Sequence, residues 1–113
     1  MRFLMLVCRD ASIELSPEER ETIGREVAAW VSEMEQRRVR LQGDVLAPVD
    51  ATATVRVRDA EVTVGHGPRT QTTDPASGFN ILSCATMDEA VEVAAKHPIA
   101  RFGTIELRPI AEM

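Results

Sequence analysis

The chain has 113 residues, of which 44% are hydrophobic and 27% charged, and its formal net charge is −5 at pH 7. This size and composition predict one globular domain spanning residues 1–113. The negative charge argues against a nucleic-acid-binding protein, and no run reaches the roughly 18 apolar residues that a membrane span requires. The short apolar N-terminus lacks a signal-peptide cleavage site, so we expect a cytoplasmic protein.

The first third of the chain predicts a strand followed by a helix. Phe3 to Cys8 is continuously apolar, as expected for a central strand that is covered on both faces. Ser16 to Glu19 is typical of a helix start, with a serine N-cap, a proline in the first turn and a glutamate that completes a capping box. We expect the helix to reach about Arg38 and to bury one stripe of side chains at helical spacing: Ile23, Val27, Trp30, Val31 and Met34.

The middle of the chain predicts a short strand and a hairpin. Leu41 to Leu46 is a strand interrupted by Gly43-Asp44. Thr54 to Arg58 and Glu61 to Gly65 alternate strictly between apolar and polar residues, and Asp59-Ala60 between them has the length of a two-residue hairpin turn. We therefore predict a hairpin with a wet polar face and a second face made of Val55, Val57, Val62 and Val64.

The last third predicts a strand, a helix and a final strand. Phe79 to Cys84 is the first of these, and Thr86 to Glu89 is a second capping box. Pro98 ends the helix, and Thr104 to Arg108 forms the last strand. The helix is expected to bury Met87, Ala90, Val91, Ala94 and Ala95.

This order of elements predicts an α+β fold of the ferredoxin-like, split βαβ type, with an inserted hairpin and two helices on one face of an antiparallel sheet. The helices can cover only one face, yet Phe3 to Cys8 is apolar on both. We therefore expect the other face to be buried against a second copy of the chain, which gives a homodimer. In this topology Cys8 and Cys84 lie at opposite ends of neighbouring strands, so both are predicted to be free thiols.

A long connection, residues 66–77, separates the hairpin from the strand that begins near Phe79. Compact domains seldom contain so many residues without apolar periodicity unless the segment binds something or is disordered. Gly67-Pro68 and Asp74-Pro75 stiffen its turns, which argues against disorder. We interpret this loop as a functional one.

The predicted topology brings four distant segments to one rim of the sheet: the end of the first strand, the long loop, the start of the first helix and the end of the second. This rim gathers Arg9, Asp10, His66, Arg69 and His97, which we predict to form a site for a small anion or enolate. Either histidine would be the catalytic base, and the two arginines with Asp10 would bind the ligand. The structural alternatives are helix capping for His97 and a turn position for His66. Since metal-ligand spacing, phosphate loops and nucleophile motifs are absent, no cofactor or metal is expected.

Short motifs in a characteristic order resemble those of the YCII-related family, and within it the DGPF-domain group: Val55 to Asp59, His66 to Arg69, Gly78-Phe79, Met87 to Ala90, Lys96 to Pro98 and Glu106 to Ile110. The resemblance implies a ferredoxin-like domain of the dimeric α/β barrel type. Some relatives look like small-molecule enzymes that use a histidine and an aspartate to move protons on an aromatic or enol substrate. DGPF proteins are often encoded near alternative sigma factors, which suggests a regulatory role.

The chain departs from the family pattern at the residues that matter for chemistry. The family's Asp-Gly-Pro-Phe reads His66 to Arg69 here. Relatives with a His–Asp dyad carry the histidine on the first helix and the aspartate before the proline that ends the second. This first helix has no histidine, Glu26 lies near the vacant position, and His97 precedes Pro98, so the dyad cannot be carried over. Two functions therefore stay open: proton-transfer or lyase chemistry on a small anionic or enol substrate, and a non-catalytic ligand-binding or regulatory dimer.

Overall fold

The computed structural model describes residues 1–112 and has an α+β fold. Its helices are α1 (Pro17–Gln36) and α2 (Met87–Ala95), and short 3-10 turns occur at Val49–Ala51 and Pro98–Arg101. The strands are β1 (Arg2–Cys8), β2 (Arg40–Val45), β3 (Ala53–Arg58), β4 (Glu61–His66), β5 (Ala76–Ser83) and β6 (Thr104–Pro109). Each predicted element is present, with ends that differ from the sequence prediction by a few residues.

Four strands form an antiparallel sheet in the order β2-β5-β1-β6. The apolar strand β1 is central, and its Met5 lies opposite Asn80 of β5 and Leu107 of β6. Strands β1 and β5 are antiparallel neighbours, as the sequence predicts. This strand order, with a helix in each of the two crossovers, confirms the ferredoxin-like arrangement.

Both faces of β1 are apolar, but only one lies under the helices. Phe3, Met5 and Val7 are buried on the helix side, whereas Leu4 and Leu6 point to the other side and are half-buried. The buried hydrophobic residues form one core between the sheet and the helices: Phe3, Met5, Val7, Trp30, Met34, Val39, Leu82, Cys84, Ala90, Val93, Ala94 and Ile99.

Helix α1 begins at the predicted capping box. The Ser16 hydroxyl accepts the N–H of Glu19, and the Glu19 carboxylate accepts the N–H of Ser16, each at 3.1 Å. At α2 the Thr86 hydroxyl accepts the N–H of Glu89, while the Glu89 carboxylate accepts the N–H of Ala85. These bonds satisfy amide groups that the helix itself leaves free.

The predicted core stripe of α2 is wrong in part. Val91 is 51% and Met87 39% exposed, and Ala95 is exposed as well, whereas Val93 is fully buried. The buried side chains follow the spacing i, i+3, i+4 and i+7 from Ala90 through Val93 and Ala94 to His97. Val91 and Val93 are equally apolar, so their identity alone could not decide which one faces the sheet.

The hairpin β3–β4 forms a separate two-stranded sheet. Its turn residues Asp59 and Ala60 have φ values of 51° and 62°, as a two-residue turn of type I′ requires. The predicted valines pair across the strands, but nothing within residues 1–112 covers them. All four are 54–63% exposed: Val55, Val57, Val62 and Val64. The dry face that the alternation suggests is therefore open to solvent in the single chain.

The two cysteines are free thiols, as predicted. Cys8 lies opposite Ala76, whereas the N–H of Cys84 donates to the carbonyl of Met1 at 2.9 Å, so the thiols occupy opposite ends of β1. Burial raises the pKa of both thiols, that of Cys84 to about 11. Within residues 1–112, neither helix combines the length and the apolar character that crossing a bilayer demands.

Gly43 of β2 lies against β5 so closely that a larger residue would disturb the sheet. A Cβ atom there would collide with the side-chain oxygen of Asn80 and lie 2.7 Å from the carbonyl oxygen of Phe79. We predict that Gly43→Ala lowers the free energy of unfolding by about 1–3 kcal/mol, the usual cost of overpacking. Urea denaturation measures this change.

Gly24→Ala is the matched control, because Gly24 lies inside α1 and a Cβ atom there meets nothing within 4 Å. It should stabilise the protein by up to about 1 kcal/mol, since alanine favours helix. Equal effects of the two substitutions would contradict the tight approach of β2 to β5.

Candidate functional site

A cavity of about 370 Å³ opens between α1, the 3-10 turn after α2 and the β2–β5–β1 part of the sheet. Its volume lies within the range of small-molecule sites. Apolar side chains of α1 and the 3-10 turn form part of its wall: Val27, Trp30, Val31 and Ile99. The lining also includes four polar residues that are buried or half-buried: Arg9, Arg40, Asn80 and His97.

His97 is held by the backbone that follows it. The imidazole is 4% exposed, and its Nδ1 accepts the N–H of Ile99 at 3.1 Å. Because Nδ1 accepts, the neutral ring must carry its proton on Nε2. Burial lowers the pKa of His97 to about 4, so the ring is neutral at pH 7. The ring of Trp30 packs edge-on at 4.9 Å between centroids, and its own N–H donates to the carbonyl of Val93.

Three N–H donors of residues that line the cavity have no protein acceptor among residues 1–112. The Nε of Arg9 is the one side-chain polar atom in this part of the chain that is both fully buried and unpaired. The Nε2 of His97 and the amide nitrogen of Asn80 also have no hydrogen-bond partner there, and neither atom is fully buried. The cavity therefore offers donors to a ligand that brings acceptors.

The amide of Asn80 is oriented by an arginine. Arg40 donates from Nε to the side-chain oxygen of Asn80 at 2.8 Å and from Nη1 to the Glu35 carboxylate at 2.8 Å. Asn80 is 6% exposed, and the side chain of Arg40 is 15% exposed. The oxygen of the amide is thus used inside the protein, and its nitrogen remains for the cavity.

Arg9 adds a positive charge to the cavity lining. It donates from Nη2 to the carbonyl of Ile13 at 3.3 Å, and its backbone N–H donates to Pro75 at 3.3 Å, which joins the end of the long loop to the end of β1. Asp44 also lines the cavity, but it lies opposite Phe79 in the sheet, so its carboxylate lies on the face away from the helices. That carboxylate accepts the N–H of Val45 at 3.2 Å.

The structure brings together two of the five residues that the sequence places in a site. Arg9 and His97 line the cavity, whereas Asp10, His66 and Arg69 do not. Asp10 accepts the N–H and hydroxyl of the nearby Ser12 at 2.9 and 2.6 Å. His66 is exposed at the end of β4, and Arg69 is exposed in the loop that follows. A functional role for these three residues stays a prediction.

The capping alternative for His97 was right in kind but wrong in detail. The ring caps the N–H of Ile99 at the start of the 3-10 turn instead of the last carbonyls of α2. The reason is that burial keeps the imidazole neutral, which leaves Nδ1 a lone pair to accept with.

Sequence reasoning missed Asn80 and Arg40. Two signals could have found them: a buried polar residue within an apolar strand is uncommon, and a glycine such as Gly43 inside a strand often marks a close approach. Arg40 is the first residue of β2, and its side chain reaches Asn80 of β5.

A larger groove of about 560 Å³ runs along the first half of α1. Its polar side chains are mostly exposed, and Glu26 makes two hydrogen bonds with Arg101, at 2.6 and 2.9 Å. Glu26 is therefore bonded to an arginine and not to His97. No group of three or more metal-ligating side chains occurs in the described chain. The smaller cavity, with its buried and oriented donors, is the better candidate.

Comparison with known proteins places the chain in a family. The model of the YCII-related domain matches residues 1–113. The chain belongs to the YCII-related family. It is also similar to an uncharacterized protein of Rhizobium meliloti (strain 1021), which is 32% identical over an alignment covering 98% of this chain and 93% of that protein.

The buried imidazole should make the stability of this YCII-related protein depend on pH. The pKa of His97 is about 4 in the folded protein, whereas an ordinary histidine has a pKa of about 6.5, so the unfolded chain binds more protons between these values. Stability therefore falls on acidification through this window, by at most about 1.4 kcal/mol per pH unit. Urea denaturation between about pH 7 and 5 avoids most carboxylate titration, which occurs lower.

His97→Asn removes the titrating ring but keeps a side-chain acceptor for the N–H of Ile99. We expect a flatter stability profile for this variant. His66→Asn is the control, because His66 is exposed and should leave the profile unchanged. An unchanged profile in His97→Asn would contradict the buried neutral ring.

Proposed function

We propose that the cavity binds a small anionic or enol-type molecule through an oxygen atom. The observation that carries the proposal is the fixed state of His97: Nδ1 accepts from Ile99, so a neutral ring presents Nε2–H. The amide nitrogen of Asn80 supplies a second donor to the same cavity. Donors fixed in advance stabilise negative charge on oxygen without having to reorganise.

The other walls suit such a ligand. The guanidinium of Arg9 lies at the cavity edge, where it can balance one negative charge. The carbon body of the ligand would rest on Val27, Trp30 and Ile99. Buried donors left without acceptors cost about 1–3 kcal/mol each, and a bound oxyanion offsets that cost.

The same geometry favours proton-transfer chemistry in which His97 is not the base. Its Nε2 carries a proton and its Nδ1 is already bonded, so the ring acts as a donor. None of the residues 1–112 that line the cavity places a carboxylate on the helix side of the sheet, so the proton acceptor in this mechanism is a base from the solvent. That base removes a proton from the carbon beside a carbonyl group, and the N–H groups of His97 and Asn80 stabilise the enolate oxygen. A lyase reaction that passes through the same anion would use the same groups.

A non-catalytic ligand-binding dimer is the second candidate. The observation that favours it is the position of Asp44, the one acidic residue among residues 1–112 that lines the cavity, whose carboxylate lies on the sheet face away from the helices. The cavity therefore lacks the oriented base that catalytic sites usually contain. In this alternative the donor-lined cavity binds its ligand without changing it.

Oxalate, a planar dianion that resembles an enolate, tests the binding proposal. At 100 times its dissociation constant a ligand stabilises the folded state by about 2.7 kcal/mol, which thermal unfolding detects as a raised Tm. Arg9→Met should abolish the shift. Arg69→Met is the matched control, because Arg69 does not line the cavity, and it should keep the shift. Equal losses in both variants would argue against this cavity.

Hydrogen exchange distinguishes catalysis from binding. In D2O, an enzyme of the proposed kind exchanges the methyl protons of pyruvate faster than buffer does, and proton NMR measures the rate. Asn80→Leu removes one of the two donors and should reduce the rate at least about a hundredfold, the usual cost of losing one oxyanion donor. Oxalate binding without any exchange of pyruvate protons would favour the ligand-binding dimer.

We also propose that the protein is a homodimer that buries the sheet face opposite the helices. Leu4, Leu6, Phe79 and Ile81 lie on this face. The exposed valines of the hairpin add to the apolar surface, and an isolated two-stranded hairpin is only marginally stable in water. A second copy of the chain would cover both surfaces.

Leu6→Glu places a charge at the centre of this face and should shift the protein from dimer to monomer. Light scattering at micromolar concentration measures the mass, and circular dichroism checks the fold. Val91→Glu makes the same chemical change on the exposed side of α2 and should leave the dimer intact. A monomeric wild type would contradict the proposal.

A further inference from the structure

We infer that Arg40 is a positioning residue that fixes the amide of Asn80, so that its nitrogen and not its oxygen faces the ligand. The inference rests on the proposed function, because it concerns the same cavity. It adds that the site selects ligands by their acceptor atoms.

An asparagine amide has two orientations of nearly equal shape, and only its hydrogen-bond partners decide between them. Arg40 has donors and no acceptor, so its Nε–H, at 2.8 Å, requires the oxygen of Asn80 on that side. Glu35 holds Nη1 of the same guanidinium at 2.8 Å. Gly43 leaves the space that this arrangement needs, since a Cβ atom there would lie 2.7 Å from Nη2 of Arg40.

The consequence is a wall of matched donors. The oxygen of Asn80 accepts from Arg40, so Asn80 offers the cavity its amide N–H groups, and His97 offers only Nε2–H. A carboxylate, enolate or ketone oxygen can accept from both groups. An amine or alcohol hydrogen finds no acceptor on His97 and must compete with Arg40 for the oxygen of Asn80, and an unmatched buried polar group is costly. Arg40 thereby determines which ligands bind, although its Nε–H donates to Asn80 and not to the ligand.

Asn80 is the only asparagine in the chain, so labelling asparagine with ¹⁵N gives one side-chain amide whose NMR signals need no further assignment. The probe is acetate, small enough to reach both donors. In the wild type, acetate should shift the Asn80 amide signals in a saturable titration. Arg40→Met frees the amide to turn, so the signals should move or double without ligand, and acetate affinity should fall about tenfold.

Two further variants separate positioning from stability. Arg40→Lys retains a donor that can reach the Asn80 oxygen, and it should restore part of the affinity and the wild-type amide signals. Arg37→Met removes an arginine of similar pairing, bonded to Glu92 outside the cavity, and should change neither measurement. If Arg37→Met changes the amide signals and the acetate affinity as much as Arg40→Met does, Arg40 contributes only to stability, and the inference is overturned.

Unliganded Asn80 signals that are identical in wild type and Arg40→Met overturn the inference whether or not acetate binds. If acetate leaves the wild-type signals unmoved, the proposed anion site fails instead. Displaced amide signals in unliganded Arg40→Met would still support the positioning role of Arg40. The two failures are therefore distinguishable in one set of spectra.

Discussion

The candidate site depends on the hydrogen bond from the N–H of Ile99 to Nδ1 of His97. Pro98 prevents α2 from continuing, and the chain turns into a 3-10 segment whose first amide groups lack helical acceptors. The imidazole supplies one acceptor, and in doing so it must keep its proton on Nε2. A local requirement for backbone pairing therefore determines which atom of the ring can serve a ligand.

The buried stripe of α2 explains why this ring lies where it does. Ala90, Val93 and Ala94 face the sheet, and the next residue on that face is His97. Trp30 closes the position from α1, and its own N–H is satisfied by the carbonyl of Val93. Packing therefore removes the ring from water and lowers its pKa, so that it serves as a hydrogen-bond donor at neutral pH instead of a base. The proposed role of His97 as a hydrogen-bond donor follows from this environment.

Buried N–H donors without acceptors lower the stability of the folded protein, and folding alone does not explain their presence. Arg9, Asn80 and His97 each keep an unpaired N–H at or near the same cavity, in the part of the chain that the structure describes. An entirely apolar cavity of the same shape would make a more stable protein. Unpaired donors break the usual rule that buried polar groups are hydrogen-bonded, and exceptions to that rule are expected at functional sites.

Local patterns were enough to predict most of the fold. The apolar run of β1, the capping boxes at Ser16 and Thr86 and the alternating hairpin each depend on neighbours in sequence, and the strand order followed from them. The site was less predictable. Arg9 and His97 could be placed by topology, but the pairing of Arg40 with Asn80 depends on contacts between β2 and β5, including a register shift just after Arg40.

The hairpin was predictable only in its local structure. The sequence predicted its turn and its register but not its direction relative to the main sheet. His66 ends the hairpin and Arg69 follows it, so no local pattern could relate them to the cavity. In the proposed homodimer, the second copy of the chain would determine their surroundings.

The most direct test of the account is the state of the His97 ring. The chain has two histidines, so labelling histidine with ¹⁵N gives two sets of ring signals, and His97→Asn assigns them. Nitrogen chemical shifts identify the protonated atom at pH 7, and a pH titration gives the pKa. The account predicts a neutral ring with its proton on Nε2 and a pKa well below the ordinary 6.5. A proton on Nδ1, or a pKa near 6.5, would contradict the donor-lined cavity.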